Sequence, residues 1–451
     1  MNINDFVVHR DRCDMSFSSS STTSLWERGL FQRQPRWPHE PDAAAIIALS
    51  RQHLHIVGSV DINVNLLAQG AFNKLYTISS SGLSKDYLFR VTLPVEPSIK
   101  TASEVATLLY LRRHTKLPVP QVVAHAITSD NELGYEWMIM ERLPGVCLKD
   151  IWPVHPGEKG DTIKLTSPTG SIECSPVDWK AKEDITRTIS GCVQDLRSRS
   201  FKAIGSLYCR SDLNNLDIIP ATLVETDDPE FVIGPLVSLR LFYGDLRSRA
   251  NRNLGPYSSE REYISAWADV QRQELELAQR LDPEDPLYDE DLVDDGPEIK
   301  SALDALCNVI PNLFSPHNDP NAYTLYHNDL SLANVIVDPT TFKVTGIVDW
   351  ECIGTVPRWE DEYPQFLYGI DVDEEPDPWE EDDATNLARA ELWENWEKVK
   401  LRKLFSATAS TSEEEEEQED RVKREFVGNL EEVVIWHRRA ENWVSTLSPK
   451  K

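Results

Sequence analysis

Between residues 62 and 93 polar and apolar side chains alternate. "INVNLLAQGAFNKLYTIS" predicts two strands joined near Gly70, "SSSG" at 79–82 a turn, and "DYLFRVTL" at 86–93 a third strand. The period then lengthens. In "SIKTASEVATLLYLRRHT" the side chains of Val105, Leu108, Leu109 and Leu111 share one helical face, with Thr101 or Ser103 as candidate N-cap. "LPVPQ" at 117–121 stops that helix, and "QVVAHAI" and "YEWMIME" read as two more strands. Beyond Glu141 the pattern is mostly helical, with helices expected at 182–199, 258–280, 297–310, 359–369, 384–406 and 419–446.

Three units follow from this pattern. Residues 1–40 form a loosely ordered extension with the low-complexity run "SFSSSSTTS" at 16–24. Residues 41–141 form a sheet lobe led by a short helix over 41–53. Residues 142–451 form a larger helical lobe. It includes a Pro/Gly/Ser-rich insertion at 153–178 and an acidic stretch at 412–420, either a disordered break or the start of the last helix.

Charge changes the picture little. The chain of 451 residues carries a net −29, and the runs 282–298, 371–383 and 413–420 hold 25 of the excess acids. Such runs are expected to be solvated faces; the sharper alternative is an acidic rim that attracts cationic substrates. No Lys/Arg stripe is present to meet phosphates, which disfavours nucleic acid as a partner. The seven cysteines are scattered and form no Cys-x-x-Cys pair, which fits reduced thiols better than a zinc site or disulfide frame. No run of 18 apolar residues is present, so no membrane span is expected. The first residues lack a signal-type apolar core and mix Arg10 and Arg12 with Asp5, Asp11 and Asp14, so neither a secretory nor a mitochondrial leader is expected, and a soluble cytoplasmic protein is the expectation.

The chemistry concentrates in "YHNDLSLANVIVDPTTFKVTGIVDWE", residues 326–351. His327, Asp329 and Asn334 stand as His-x-Asp-x-x-x-x-Asn, and Asp349 follows fifteen residues later at a strand end. This is the spacing of a kinase catalytic loop and metal aspartate. Phosphoryl transfer needs a hydroxyl held in line and cations to absorb charge. Asp329 would orient or accept the hydroxyl proton, and Asn334 and Asp349 offer the oxygens Mg²⁺ takes. His327 sits in the motif as a brace for the loop more than as a reacting group. Turn-capping alone is the plain alternative for these residues. The sheet lobe supplies an independent test: Gly70 lies between strands one and two, Arg90 on the third strand, Glu104 on the following helix, and "MIMERLPG" where a hinge strand belongs. Each has a structural explanation singly; their order is the argument.

On these residues the chain resembles the aminoglycoside phosphotransferase-like family of the protein-kinase-like fold, in its fungal-type branch. "FRVTLP", "SEVATLLYLRRHTKLPVP", "MERLPGVCL", "GSLY" and "HNDLSLANVIVD…GIVDWE" carry the likeness over about residues 45–370. The resemblance implies a two-lobed α+β fold, with a small five-stranded sheet lobe and a large, mainly helical lobe. It implies ATP and Mg²⁺ as cofactors and a small-molecule hydroxyl as acceptor. Asp329 then corresponds to the catalytic base, and Asn334 and Asp349 to the metal ligands. Arg90 stands where a lysine more often touches the phosphates, and Glu104 where its ion-pair partner sits. Gly70 is the single glycine of the phosphate loop, and the backbone of Glu141 and Leu143 corresponds to the adenine edge. No Ala-Pro-Glu and no long segment follow Asp349, which disfavours a protein acceptor. Residues 180–310 and 355–450 would form the acceptor pocket. Glu351, Glu360 and Asp361 are candidates to hold a cationic acceptor. Trp350, Trp359, Trp379, Trp393 and Trp396 either line the pocket or, as ordinary helix packing favours, do not. The rival reading is a pseudokinase-type nucleotide- or metabolite-binding regulator.

Overall fold

The computed structural model describes residues 26–28, 33–152, 163–167, 170–216, 222–285, 287–317, 323–360, 363–377, 387–408 and 414–447. The 16–24 run, Asp361 and Trp379 lie outside the described residues, as do most of the extension and residues 153–162 and 168–169 of the insertion.

Helix α1 (Ala43–His53) begins where Asp42 accepts the Ala44 N–H at 2.9 Å. The sheet lobe follows with β1 (Asn63–Gln69), β2 (Asn73–Ser79), β3 (Tyr87–Thr92), helix α2 (Ile99–His114), β4 (Val122–Ala126) and β5 (Glu136–Glu141). The strands form one antiparallel sheet in the order β1-β2-β3-β5-β4. One face presents Ile78, Phe89, Val91 and Ile139; the other, with Arg90, Met138 and Met140, is buried as well, and α2 meets it through Glu104 and adds Val105, Leu108 and Leu111 to the core. The helix starts earlier than its sequence suggests. Neither Thr101 nor Ser103 caps it; Ser98 does, at φ +66° and with no side-chain cap bond. The carboxylate of Glu136 on β5 does that work instead, accepting from Ser98 N at 2.7 Å and from Thr101 Oγ1. A cap supplied from 38 residues away in the chain leaves no local signature.

The second lobe opens with β6 (Val146–Cys147) and α3 (Leu148–Ile151), then α4 (Trp179–Arg197), α5 (Glu260–Ala278) and α6 (Gly296–Leu313). The catalytic segment comes next: β7 (Tyr323–Tyr326), β8 (Val335–Val337), β9 (Val344–Ile347) and β10 (Gly354–Pro357). Strand β8 pairs with both β9 and β6, and β7 pairs with β10. The chain ends in α7 (Leu387–Thr408), α8 (Glu414–Glu431) and α9 (Val433–Leu447). The fold is therefore the two-lobed, kinase-like α+β arrangement expected from the sequence.

Three local expectations are corrected. No helix spans 359–369; Pro364 interrupts it and only the short 3-10 turns Arg358–Glu360 and Gln365–Leu367 form. The helix expected over 419–446 is two, with Trp436 off helical geometry at φ −120° and ψ 40°. Inside the 153–178 insertion, Ile163–Ser167 and Gly170–Cys174 pair as an antiparallel hairpin.

Candidate active site

The loop after β7 is held by its own neighbours. Asn334 Nδ2 donates to the Asp329 carbonyl at 2.7 Å and to Asp329 Oδ2 at 3.0 Å. Asp329 N donates to His327 Nδ1 at 3.3 Å, so the other ring nitrogen carries the proton and donates to Val348 O at 3.0 Å. His327 is buried edge-on against Trp350, and that burial holds its pKa below the ordinary value. With both ring nitrogens occupied, this geometry suits a brace and not a proton carrier. Burial raises the Asp329 pKa, and the nearby Asp349 and Glu351 charges push the same way against His327 and Asn334. Asp349 adopts φ +64°, a left-handed turn that swings its carboxylate out of the β9 line.

Arg90 reaches this loop from the other lobe. Its side chain is buried and its two Nη atoms meet three carboxylates. Nη1 lies 2.9 Å from Glu104 Oε1, Nη2 lies 2.8 Å from Glu351 Oε2, and both contact Asp349 Oδ1 at 3.3 and 3.2 Å. Burial works against the guanidinium charge, yet Glu104, Glu351 and Asp349 together hold its pKa above the ordinary value. Burial pushes the Glu104 carboxyl up to about 7 against the pull of Arg90; the 2.9 Å contact is that of an ionised pair. The arginine thus makes the ion pair with Glu104 that the resemblance implies.

Gly70 closes the β1–β2 turn by donating its N–H to Asn73 O at 2.9 Å. Nothing in the protein demands glycine there. Its φ is not left-handed, and an added Cβ would find its nearest atom 4.0 Å away. Glu141 ends β5, donates its N–H to Gln121 O at 2.9 Å and takes Lys85 at 2.6 Å. Leu143 lies against β9 so closely that a Cβ on Gly346 would stand 2.4 Å from its Cδ1. The hinge segment is thereby fixed to the strand that delivers Asp349.

The donor set suits Mg²⁺. Asn334 Oδ1 and Asp349 Oδ2 accept no hydrogen bond among the described residues, both are hard oxygens, and Asp349 is 38% exposed. No cluster of three or more His, Cys, Asp or Glu able to hold a metal exists among the described residues. A small number of protein oxygens is what Mg²⁺ uses when phosphates complete its shell.

Two expectations about the acceptor are corrected. Glu351 and Glu360 do not line an open pocket for a cation. Glu351 is turned into the lobe interface, where Lys100 and Arg90 overcome burial and draw its pKa down to about 2. Glu360 is buried against Arg240 at 2.8 Å. The described tryptophans mostly pack. Trp350 donates to Ile347 O, Trp359 donates to Glu260 and rests on Phe314, and Trp393 meets Trp396 edge-on. Among the described residues, a pocket of about 430 Å³ opens beside the catalytic loop. It runs from Ser331, Leu332 and Ala333 to Lys149, Trp152 and Phe366, with α7 closing it through Glu394, Glu397 and Leu401.

The sequence profile described as "Phosphotransferase enzyme family" matches residues 63–165 and 244–401, more than half of the chain. The chain belongs to this phosphotransferase family. Among its relatives is a subtelomeric hrmA-associated cluster protein of Aspergillus fumigatus, 30% identical over 67% of this chain and 60% of the relative. Another, named altered inheritance of mitochondria protein 9, mitochondrial, from Candida glabrata, is 26% identical over 66% of this chain and 50% of the relative. The chain thus spans about half to 60% of the curated relatives it matches. Among solved structures, aminoglycoside phosphotransferase APH(4)-Ia is similar at TM-score 0.42 and 14% identity, covering 90% of this chain and all of that one. A Plasmodium vivax ethanolamine kinase is similar at TM-score 0.41 and 12% identity, covering 90% and 82%.

The relatives correct the expected location. Several carry a name that places them in mitochondria, so the cytoplasmic expectation does not stand. That expectation rests on Asp5, Asp11 and Asp14 among the first residues, since mitochondrial leaders are Arg-rich and poor in acids.

Sequence reasoning missed Lys100, Asn73 and the true place of Glu351 in this phosphotransferase-family site. One signal was available for Lys100. A lysine in the first turn of a helix opposes the helix dipole and calls for a nearby anion.

Proposed function

We propose that the protein transfers the γ-phosphate of ATP, bound with Mg²⁺, to a hydroxyl of a small-molecule acceptor. The observation that carries this reading is the 3.2 Å contact between Arg90 of the sheet lobe and Asp349 of the catalytic segment. Strand, helix and loop residues far apart in the chain converge there on one cleft. Asn334 and Asp349 would hold the metal, whose chemistry is to neutralise charge developing on the phosphates. Arg90 would bind the phosphates, Gly70 would leave room for them under the β1–β2 turn, and Glu141 and Leu143 would offer backbone groups to the base. Asp329, its pKa raised by burial, would orient the acceptor hydroxyl and take its proton. His327 would fix the loop that carries it. The acceptor would enter the 430 Å³ pocket, which shares the catalytic loop and offers Trp152 and Phe366, 6.0 Å apart, to an apolar body.

The rival reading, a regulator that binds nucleotide without transfer, is favoured by one observation: both Nη atoms of Arg90 are already engaged by carboxylates. One experiment separates the two. The protein and Asp329→Asn are incubated with MgATP and a panel of hydroxyl compounds, and phosphate transfer is followed by mass. Transfer by the parent, falling by about 10²–10⁴ in the variant with nucleotide affinity unchanged, is the expected result. Equal rates would remove Asp329 from the mechanism; binding without any transfer would leave the regulator.

A further inference from the structure

Glu351 belongs to the helical lobe, two residues past Asp349, yet the donors to its Oε2 all come from the sheet lobe. That oxygen accepts from Asn73 Nδ2 at 2.7 Å, from Arg90 Nη2 at 2.8 Å and from Lys100 Nζ at 2.5 Å. Asn73 opens β2 just after the Gly70 turn, Arg90 lies within β3, and Lys100 sits in the first turn of α2. A single carboxylate oxygen therefore ties three elements of one lobe to the loop that carries Asp349. Lys100 is 1% exposed and lies 5.5 Å over the Phe72 ring. A lysine buried so deeply keeps its charge only beside a carboxylate.

We infer that Glu351 is a positioning residue: it aims Arg90 at the nucleotide phosphates and sets the height of the β1–β2 turn above the cleft. The arrangement explains why arginine stands at position 90. The guanidinium is a planar fork, and its two arms lie on Glu104 and Glu351 at once. An ammonium is a point charge that cannot span both. Of the three carboxylates on the fork, Asp349 is the most exposed, at 38% against 2% for Glu104 and 18% for Glu351, and its contacts are the longest. Asp349 is the partner that can turn away to another cation. Glu104 and Glu351 then keep the fork in place, with the edge that faced Asp349 open to an anion. Asn73 extends the same control to the turn, since it also accepts from Thr92 Oγ1 at 3.0 Å and so fixes β2 to β3 at the cleft edge.

The statement about phosphates rests on the proposed phosphotransferase activity; the statement about the turn does not. The test uses the full chain and two readouts. Amide hydrogen exchange over residues 66–75 is measured without nucleotide, and ATP affinity is measured with Mg²⁺ and with chelator. The proteins are the parent, Asn73→Ala, Glu351→Gln, Glu351→Asp, Arg90→Lys and the Glu351→Gln/Arg90→Lys pair. Asn73→Ala and Glu351→Gln should each speed exchange over 70–75 at least tenfold while α6 and α9 exchange at the parent rate. Glu351→Gln should weaken ATP at least tenfold and Glu351→Asp less. Adding Arg90→Lys to Glu351→Gln should cost under threefold more, because the fork has already lost one anchor. Unchanged exchange in the turn in both variants overturns the inference, as does a double variant whose losses multiply as independent. Should Glu351→Gln fail to fold, Asn73→Ala decides alone. Should the parent bind no ATP, the phosphotransferase reading falls, and the exchange result still decides whether Glu351 holds the turn.

Discussion

The two sides of the cleft are built by opposite means. On the catalytic segment the strands are held by distant partners such as Pro118 and Cys147, but the side-chain contacts that shape the loop are short in sequence: Asn334 to Asp329 spans 5 residues, Asp329 to His327 spans 2, and His327 to Val348 spans 21. On the sheet side, Arg90 reaches Asp349 across 259 residues, Lys100 reaches Glu351 across 251 and Asn73 reaches it across 278. On the first side the side chains His327, Asp329 and Asn334 find their partners within the segment. The second uses buried charges, which are tolerable only when the whole fold supplies their partners. A local motif can therefore survive changes elsewhere, whereas the charge cluster holds the lobes to each other and depends on both.

The comparison can be broken most severely at Arg90. Arg90→Met leaves Glu104 and Glu351 short of a cation in the interior and should lower unfolding free energy by about 3–5 kcal/mol. Urea midpoints measure it, and a loss below about 1 kcal/mol would show that the cluster is not under charge stress.

Glu136, which caps α2 from β5, gives the next largest effect and a pH signature. Burial raises its pKa to about 7 in the folded protein, from about 4.3 in an unfolded chain. The folded state therefore binds the proton more tightly. This group's contribution to stability is complete below about pH 4.3 and is lost as pH rises to about 7. Glu136→Gln cannot titrate. Relative to the variant, the parent should lose about 3 kcal/mol across that window, and parallel pH–stability curves would refute the assignment.

On the local side the expected cost is smaller. His327→Leu orphans Val348 O and the Asp329 N–H, at about 1–3 kcal/mol, with α2 exchange unaffected. Smallest is the acidic surface. Glu290→Gln with Asp291→Asn, in the exposed first turn of the short helix Glu290–Asp294, should change stability by no more than about 0.5 kcal/mol in thermal melts. A larger shift would give that acidic run a structural role.

Legibility in the sequence follows the same division. The five strands and α2 were readable because strand and helix side chains recur with fixed periods, as Phe89 and Val91 on β3 and Val105, Leu108 and Leu111 on α2 show. The loop residues His327, Asp329, Asn334 and Asp349 were readable because their geometry depends on spacing within one segment. Helix 359–369 was misread since apolar spacing outvoted Pro364. The start of α2 was misread since its cap is Glu136, on another strand.

By itself the chain determined the order of elements and the short-range chemistry, because backbone periodicity and turn bonding act over a few residues. Only the tertiary structure decided what Glu351 does. From the sequence it stood two residues beyond Asp349, an acid free to meet a ligand. In the fold its carboxylate is turned inward onto Asn73, Arg90 and Lys100. A buried charge takes its meaning from partners in space, and no local pattern records which distant cations will arrive.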